Sequence, residues 1–153
     1  MINKTYDLSK VSFNEGEKRI CENYSKECLA TLYCEHCVRN YLKANFSNWT
    51  SGNNDIDNLI QKCQMESFNP AMIVEWIPYD NLQNIKYLTK GGFSKIYTAD
   101  WIDGGYDEWD PKGQRLLRIS NYSVVLKSLE NVENANQSWL DEVCNFKVVF
   151  KGK

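Results

Sequence analysis

The chain has 153 residues, 18 Lys and Arg against 20 Asp and Glu, and a net charge of −2; this length fits one ordinary domain or a small domain with an appendage. Balanced charge argues against the clustered basic footprint of a nucleic-acid-binding protein, and a 42% hydrophobic, 13% aromatic composition argues against a chain too polar to build a core. No apolar run approaches the ~18 residues of a membrane helix, and the first ten residues lack the apolar stretch of a secretory leader. The sequence therefore predicts a cytoplasmic or otherwise intracellular protein, without membrane or nucleic-acid partners, whose six cysteines are thiols or metal ligands rather than disulfides.

Residues 1–20 are charged and aperiodic and read as a frayed lead-in. Four cysteines follow closely: Cys21, Cys28, Cys34 and Cys37. Cys34-Glu-His-Cys37 has the Cys-x2-Cys spacing of a metal knuckle, in which a short turn lets both thiolates face one ion. The other half, Cys21 and Cys28, is more widely spaced, with Tyr24 where a close second cysteine would stand. His36 lies inside the knuckle and is a poorer ligand candidate. Two readings follow: a zinc site built from Cys21, Cys28, Cys34 and Cys37, or a decayed knuckle whose cysteines pack as small apolar groups.

Val38, Tyr41, Leu42, Phe46 and Trp49 fall on one helical face. Residues 50–54 break the pattern with turn chemistry. A second helix is expected from Asn54, with Asp55 and Asp57 in its first turn and Ile56, Leu59, Ile60 and Cys63 as its apolar stripe. Pro70 ends it. Residues 71–79 are apolar and extended, and Pro78 argues against a central strand. The segment 85–102 reads as a hairpin turning at Gly91 and Gly92; residues 103–113, with three glycines, four acids and a proline, read as a loop. Arg115–Ile119 is expected as a short strand, 123–129 as a longer one, and a helix is expected from about residue 137.

A glycine turn lets backbone N–H groups approach a phosphate. Here it precedes an apolar strand holding Lys127, in Val-Val-Leu-Lys, and then Glu142 on the expected helix. Residues 85–143 thereby resemble the N-terminal lobe of protein kinases, of the tyrosine-kinase-like and serine/threonine type. Thr89, Gly91, Ser94 and Ile96 stand at positions of the family's G-x-G-x-x-G-x-V loop, so that only the middle glycine is kept. Lys90 and Gly92 flank it, and Phe93 matches the aromatic tip. The cysteine segment, Asn-Phe-Ser-Asn-Trp-Thr-Ser-Gly-Asn and Glu-Trp-Ile-Pro-Tyr are similar to the leader of an expanded set of fungal kinase-like proteins.

The resemblance implies an α+β fold: an antiparallel twisted sheet with a C-helix (a kinase N-lobe half-domain), preceded by a small helical, cysteine-containing segment. It implies a lead-in at 1–20, a cysteine knuckle and helix at 21–49, a helical linker at 50–79, a partial kinase domain at 80–143 and a divergent tail at 144–153. It also implies ATP, with Mg²⁺, near Thr89–Ser94 and Ile96, Ala99 lining the adenine pocket, Lys127 on the phosphates and Glu142 paired with it. His-Arg-Asp and Asp-Phe-Gly motifs are absent from these residues, so the groups that orient the substrate hydroxyl and hold Mg²⁺ are missing. The expectation is a truncated kinase-like protein with ATP-binding ancestry, inactive alone. The alternative is a non-catalytic module that holds a protein partner through its cysteine knuckle and helical linker.

Overall fold

The structure is a computed structural model that describes residues 20–28, 33–67, 69–90 and 94–129. Helix α1 spans Glu35–Asn45 and continues into a 3-10 turn, Phe46–Asn48. Val38 and Leu42, one turn apart, are its buried residues on the predicted face. Helix α2 spans Asn54–Glu66. Its cap is Asn53, one residue before the expected position: the Asn53 side chain accepts hydrogen bonds from the N–H groups of Asp55 (2.9 Å) and Ile56 (3.3 Å). This satisfies donors that have no partner inside the helix. The expected stripe is the packed one, for Ile60 and Cys63 are buried with Val74, and Ile56 and Leu59 lie against them. Cys63, however, is disulfide-bonded, a correction to the expectation that all six cysteines remain thiols. Cys63 still packs with Ile60 and Val74, on the face where the apolar stripe puts it.

Residues 69–81 run extended between two 3-10 turns, Pro70–Met72 and Tyr79–Asn81. Asn69 caps the first, accepting from Ala71 N–H at 2.9 Å, and Pro70 takes the first position, where its missing N–H costs nothing. Ile73, Val74 and Ile77 are buried, so this segment is a core element without being a strand.

Five strands follow: β1 Leu82–Lys90, β2 Ser94–Trp101, β3 Tyr106–Asp110, β4 Arg115–Arg118 and β5 Tyr122–Leu129. Strands β1, β2 and β5 form one antiparallel sheet in that order, and β3 and β4 form a separate hairpin. The β2–β5 register is unbroken, from Ser94 opposite Leu129 to Trp101 opposite Tyr122. One face of this sheet is buried: Ala99, Trp101, Val124 and Leu82 pack on Ile77. The described architecture is thus α+β with antiparallel sheets and two α-helices. Gly91, Gly92, Phe93, Glu142, the helix expected from residue 137 and the tail 144–153 lie outside the described residues.

The segment expected as a loop at 103–113 is a correction. Five of its residues form β3, because Trp109 and Tyr106 stack edge-on against Tyr41 of α1, with ring centroids 5.9 and 6.4 Å away. Leu116 of β4 completes a cluster with Val38, Leu42 and Ile73. The turn signals frame the hairpin instead of filling it. Gly104 has φ +64°, and Asp110 Oδ1 accepts from the N–H groups of both Lys112 and Gly113 at 3.0 Å, closing the tip. The hairpin, inserted between β2 and β5, therefore packs on the cysteine-bearing helix, and the core crosses the boundary expected near residue 80.

Candidate metal centre and the open face of the sheet

The four cysteines converge from two local structures. Ile20 and Glu27 form a β-bridge, and between them Ser25 N–H donates to Cys21 O and Cys21 N–H to Lys26 O, both at 2.8 Å. Ser25 takes the left-handed conformation, φ 51°, that so tight a turn requires. The turn sets Cys21 before it and Cys28 after it, and so reconciles a wide sequence gap with proximity. The second structure is the start of α1. Cys34 occupies the cap position without a side-chain cap bond, and Cys37 follows within the first turn. Thiolates are favoured there, because unpaired N–H groups and the helix dipole place positive potential at a helix N-terminus.

All four side chains are buried, 3–5% exposed, and none is in a disulfide. The sulfurs of Cys21, Cys34 and Cys37 lie within 4.8 Å of one another, and Cys21 Sγ is 3.6 Å from Cys37 Sγ. Tetrahedral zinc with Zn–S bonds of about 2.3 Å requires sulfur–sulfur edges of about 3.8 Å, so the triad has the right size. Cys28 hydrogen-bonds to Cys34 and stands at the edge of this triad as the fourth thiol. Its sulfur also approaches Lys26 O at 3.8 Å.

Protonation separates the thiols. Burial pushes Cys28 and Cys37 up to about 12, with contact to Cys34 adding to it. Burial acts on Cys21 the same way, yet hydrogen bonds from Cys34 and from the backbone at Asn23 and Tyr24 outweigh it and hold Cys21 low. Several buried sulfurs do not share negative charge at neutral pH unless a cation compensates it. The donor set, its size and its burial all fit a soft divalent ion such as zinc, held by Cys21, Cys34 and Cys37 with Cys28 adjacent. His36 is on α1 with its Nε2 3.7 Å from Glu35, outside the sulfur group.

Two neighbours of this centre were not signalled by the sequence. Trp109 of β3 packs on the four cysteines. Asn23 donates to Cys37 Sγ at 3.5 Å and to Gln114 Oε1 at 2.9 Å, joining the turn to the β3–β4 hairpin. Nothing local in sequence pairs residues 91 positions apart.

The kinase-like positions are distributed over the sheet. Thr89 and Lys90 end β1, opposite Ile96 and Lys95. Ser94 opens β2, and Ile96 lies directly opposite Lys127. Side chains alternate along a strand, so Ile96, Thr98, Val125 and Lys127 share one face. Val125 is 57% exposed there. Ala99 does not share that face. It lies opposite Val124, 2% exposed in the core with Ile77 and Trp101, because it is three residues from Ile96 and alternation turns it away from Lys127. Among the described residues, no helix is long and apolar enough to cross a membrane.

No protein-family model, curated protein or solved structure matches this chain.

Proposed function

We propose that this chain is a non-catalytic binding module whose cysteine turn and first helix are fastened by a zinc ion at Cys21, Cys28, Cys34 and Cys37, with a protein as its partner. The observation that carries the metal reading is the buried triad of sulfurs within 4.8 Å at the spacing that zinc requires. Zinc here has a structural role: four buried thiolates leave no open coordination position for a substrate. The α1–hairpin core, with Trp109 on the cysteines and Leu116 on α1, depends on the position of that helix. Metal analysis of the purified protein tests the proposal. One zinc per chain is expected, falling to a trace in Cys34→Ser/Cys37→Ser. A wild-type protein purified with only a trace of zinc, and unable to take it up from buffer, would defeat the metal reading.

A second reading concerns nucleotide. Ile96 and Lys127 are cross-strand neighbours on an open sheet face. On the family resemblance alone, this reading is descent from a protein kinase with residual ATP binding at Lys127, and no phosphoryl transfer by these residues. Mg-ATP titration of the wild type against Lys127→Ala checks it: binding that is absent, or equal in both proteins, rules out a nucleotide role for Lys127.

A further inference from the structure

A pocket of about 290 Å³ lies on the outer side of helix α1, lined by Tyr24, Lys26, His36, Arg39, Asn40 and Lys43. Its walls come from the two local structures that carry the cysteines. Tyr24 and Lys26 belong to the turn between Cys21 and Cys28, which the left-handed Ser25 closes. His36, Arg39, Asn40 and Lys43 stand at i, i+3, i+4 and i+7 of α1, so they form one stripe, on the side of the helix away from buried Val38 and Leu42. The sulfurs of Cys21, Cys34 and Cys37, within 4.8 Å of one another, bring the turn against the start of the helix and so set the width of the pocket.

Charge selects the class of ligand. The chain as a whole carries a net −2, yet three of the six lining residues are Lys or Arg and none is Asp or Glu. Lys26 and Lys43 are exposed, and among the described residues no ion pair involves either of them. Glu35, whose Oε1 is 3.7 Å from His36 Nε2, is buried and is not part of the wall. Arg39 and Lys43 are one helical turn apart, with Cβ atoms about 5–6 Å from each other, and Lys26 stands on the opposite wall. Side chains with stems this long bring their cationic heads to one anion without a fixed starting geometry.

A phosphate monoester answers this arrangement better than a carboxylate, because it carries about −1.5 to −2 charges at neutral pH and three acceptor oxygens. The surroundings limit what the phosphate is attached to. Glu22 and Glu27, exposed on the same turn, would repel a polyanionic strand that ran on past the pocket. A concave site does not admit the flat surface of a membrane. Asn40 offers both a donor and an acceptor to a peptide backbone, and Tyr24, 45% exposed, offers a ring to the residue beside the phosphate.

We propose that this pocket binds a phosphorylated side chain of a protein partner, with Lys26, Arg39 and Lys43 around the phosphate. This rests on the chain being a protein-binding module and does not require the cysteines to hold zinc.

The test uses the full chain and three pentapeptides blocked at both ends, Ala-Ala-X-Ala-Ala, with X as phosphoserine, glutamate or serine. Backbone amides of residues 24–26 and 36–43 are followed in ¹H–¹⁵N spectra. Millimolar phosphopeptide should shift them saturably, the glutamate peptide should bind at least about fivefold more weakly, and the serine peptide should leave them in place. Lys26→Gln/Lys43→Gln should weaken the phosphopeptide about tenfold, the factor of one lost charge-assisted hydrogen bond. Lys62→Gln/Lys112→Gln removes the same charge outside the pocket and should change affinity by less than about twofold. No saturable shift at these amides would overturn the proposal, as would equal weakening in the two double variants. Equal affinity for inorganic phosphate would overturn it in favour of a free-anion site, and tighter binding of a ten-residue oligothymidylate at the same amides in favour of a nucleic-acid groove. Zinc content of the same sample keeps the two readings apart: phosphate-selective binding by zinc-free protein upholds the pocket while the metal reading falls, and zinc-loaded protein that ignores the phosphopeptide overturns the pocket alone. If Lys26→Gln/Lys43→Gln does not fold, the comparison of the peptides and phosphate on the wild type still decides.

Discussion

The contact that joins the extended segment 73–77 to the β3–β4 hairpin is the ion pair of Glu75 with Arg118, and Arg118→Met should expose its strength. Glu75 is 8% exposed and the Arg118 side chain 35%. Glu75 Oε1 also accepts from Tyr106 N–H at 3.0 Å, and Arg118 donates to Gly104 O at 2.7 Å. Removing one member of a buried pair strands the other and costs about 3–5 kcal/mol. Water reaches about a third of Arg118, which lowers the expected loss to about 2–3 kcal/mol. Methionine keeps most of the stem but removes the guanidinium that lies 4.0 Å over the Tyr106 ring, so the loss reports charge, hydrogen bonds and that cation–π contact more than packing. Glu75→Gln keeps an oxygen for Tyr106 N–H and leaves a half-exposed guanidinium, and should cost about 1 kcal/mol. The double variant should cost about 1–2 kcal/mol less than the sum, because the second change removes a charge that the first has already stranded. Urea unfolding followed by circular dichroism measures all four corners of the cycle. Additivity within about 0.5 kcal/mol would refute the pairing as a stabilising contact and reduce the network to coincidental proximity.

Three further expectations concern other parts of the fold. Ile60, 0% exposed in the α2 cluster, should lose about 2–5 kcal/mol on substitution by alanine, the range for emptying a buried aliphatic site, read as a lower urea midpoint at unchanged slope. Gly104→Ala drives a Cβ into Ile119 O at a backbone φ of +64°, so the strand ends must separate; a loss of more than about 2 kcal/mol is expected, and a folded variant of wild-type melting temperature would contradict the close approach. Asp57 caps the turn before α2. Partial burial would raise its carboxyl, but hydrogen bonds from Thr50 Oγ1 (2.6 Å) and Ser51 N–H (2.8 Å) hold it below the ordinary carboxylate value. A lowered folded-state pKa contributes stability that is present above the unfolded value of about 3.9 and is lost as pH falls through the folded one. The stability gap between wild type and Asp57→Asn should therefore be largest near neutral pH and close in the acid range; a gap unchanged down to about pH 2 would contradict it.

The parts of this fold that were legible in the sequence are those fixed by neighbours along the chain. The α2 stripe of Ile56, Leu59, Ile60 and Cys63 follows from helical period alone, and its start missed by one residue only because Asn53 and Asn54 are equally good caps. Strands β1, β2 and β5 announced themselves by apolar runs. Strand β4 was expected at 115–119, but β3 was not, because turn-forming residues outnumber apolar ones across 103–113. Its strand character comes from Trp109 and Tyr106 docking on Tyr41, more than sixty positions earlier, a tertiary override that no local window contains. The direction of Ala99 is set by the pleat, which counts residues: with Ile96 opposite Lys127, residue 99 faces the core.

The cysteine site shows both limits at once. Cys34 and Cys37 were legible as a knuckle, being three residues apart, but Cys21 and Cys28 become close only through the left-handed turn at Ser25. Because Trp109 and Gln114 of the hairpin reach the same turn, the site is shared between the first described residues and an insertion within the sheet. Its loss should accordingly loosen β3–β4 along with α1, while β1, β2 and β5, which pack instead on Ile77 and Trp101, retain a core that contains none of the four cysteines.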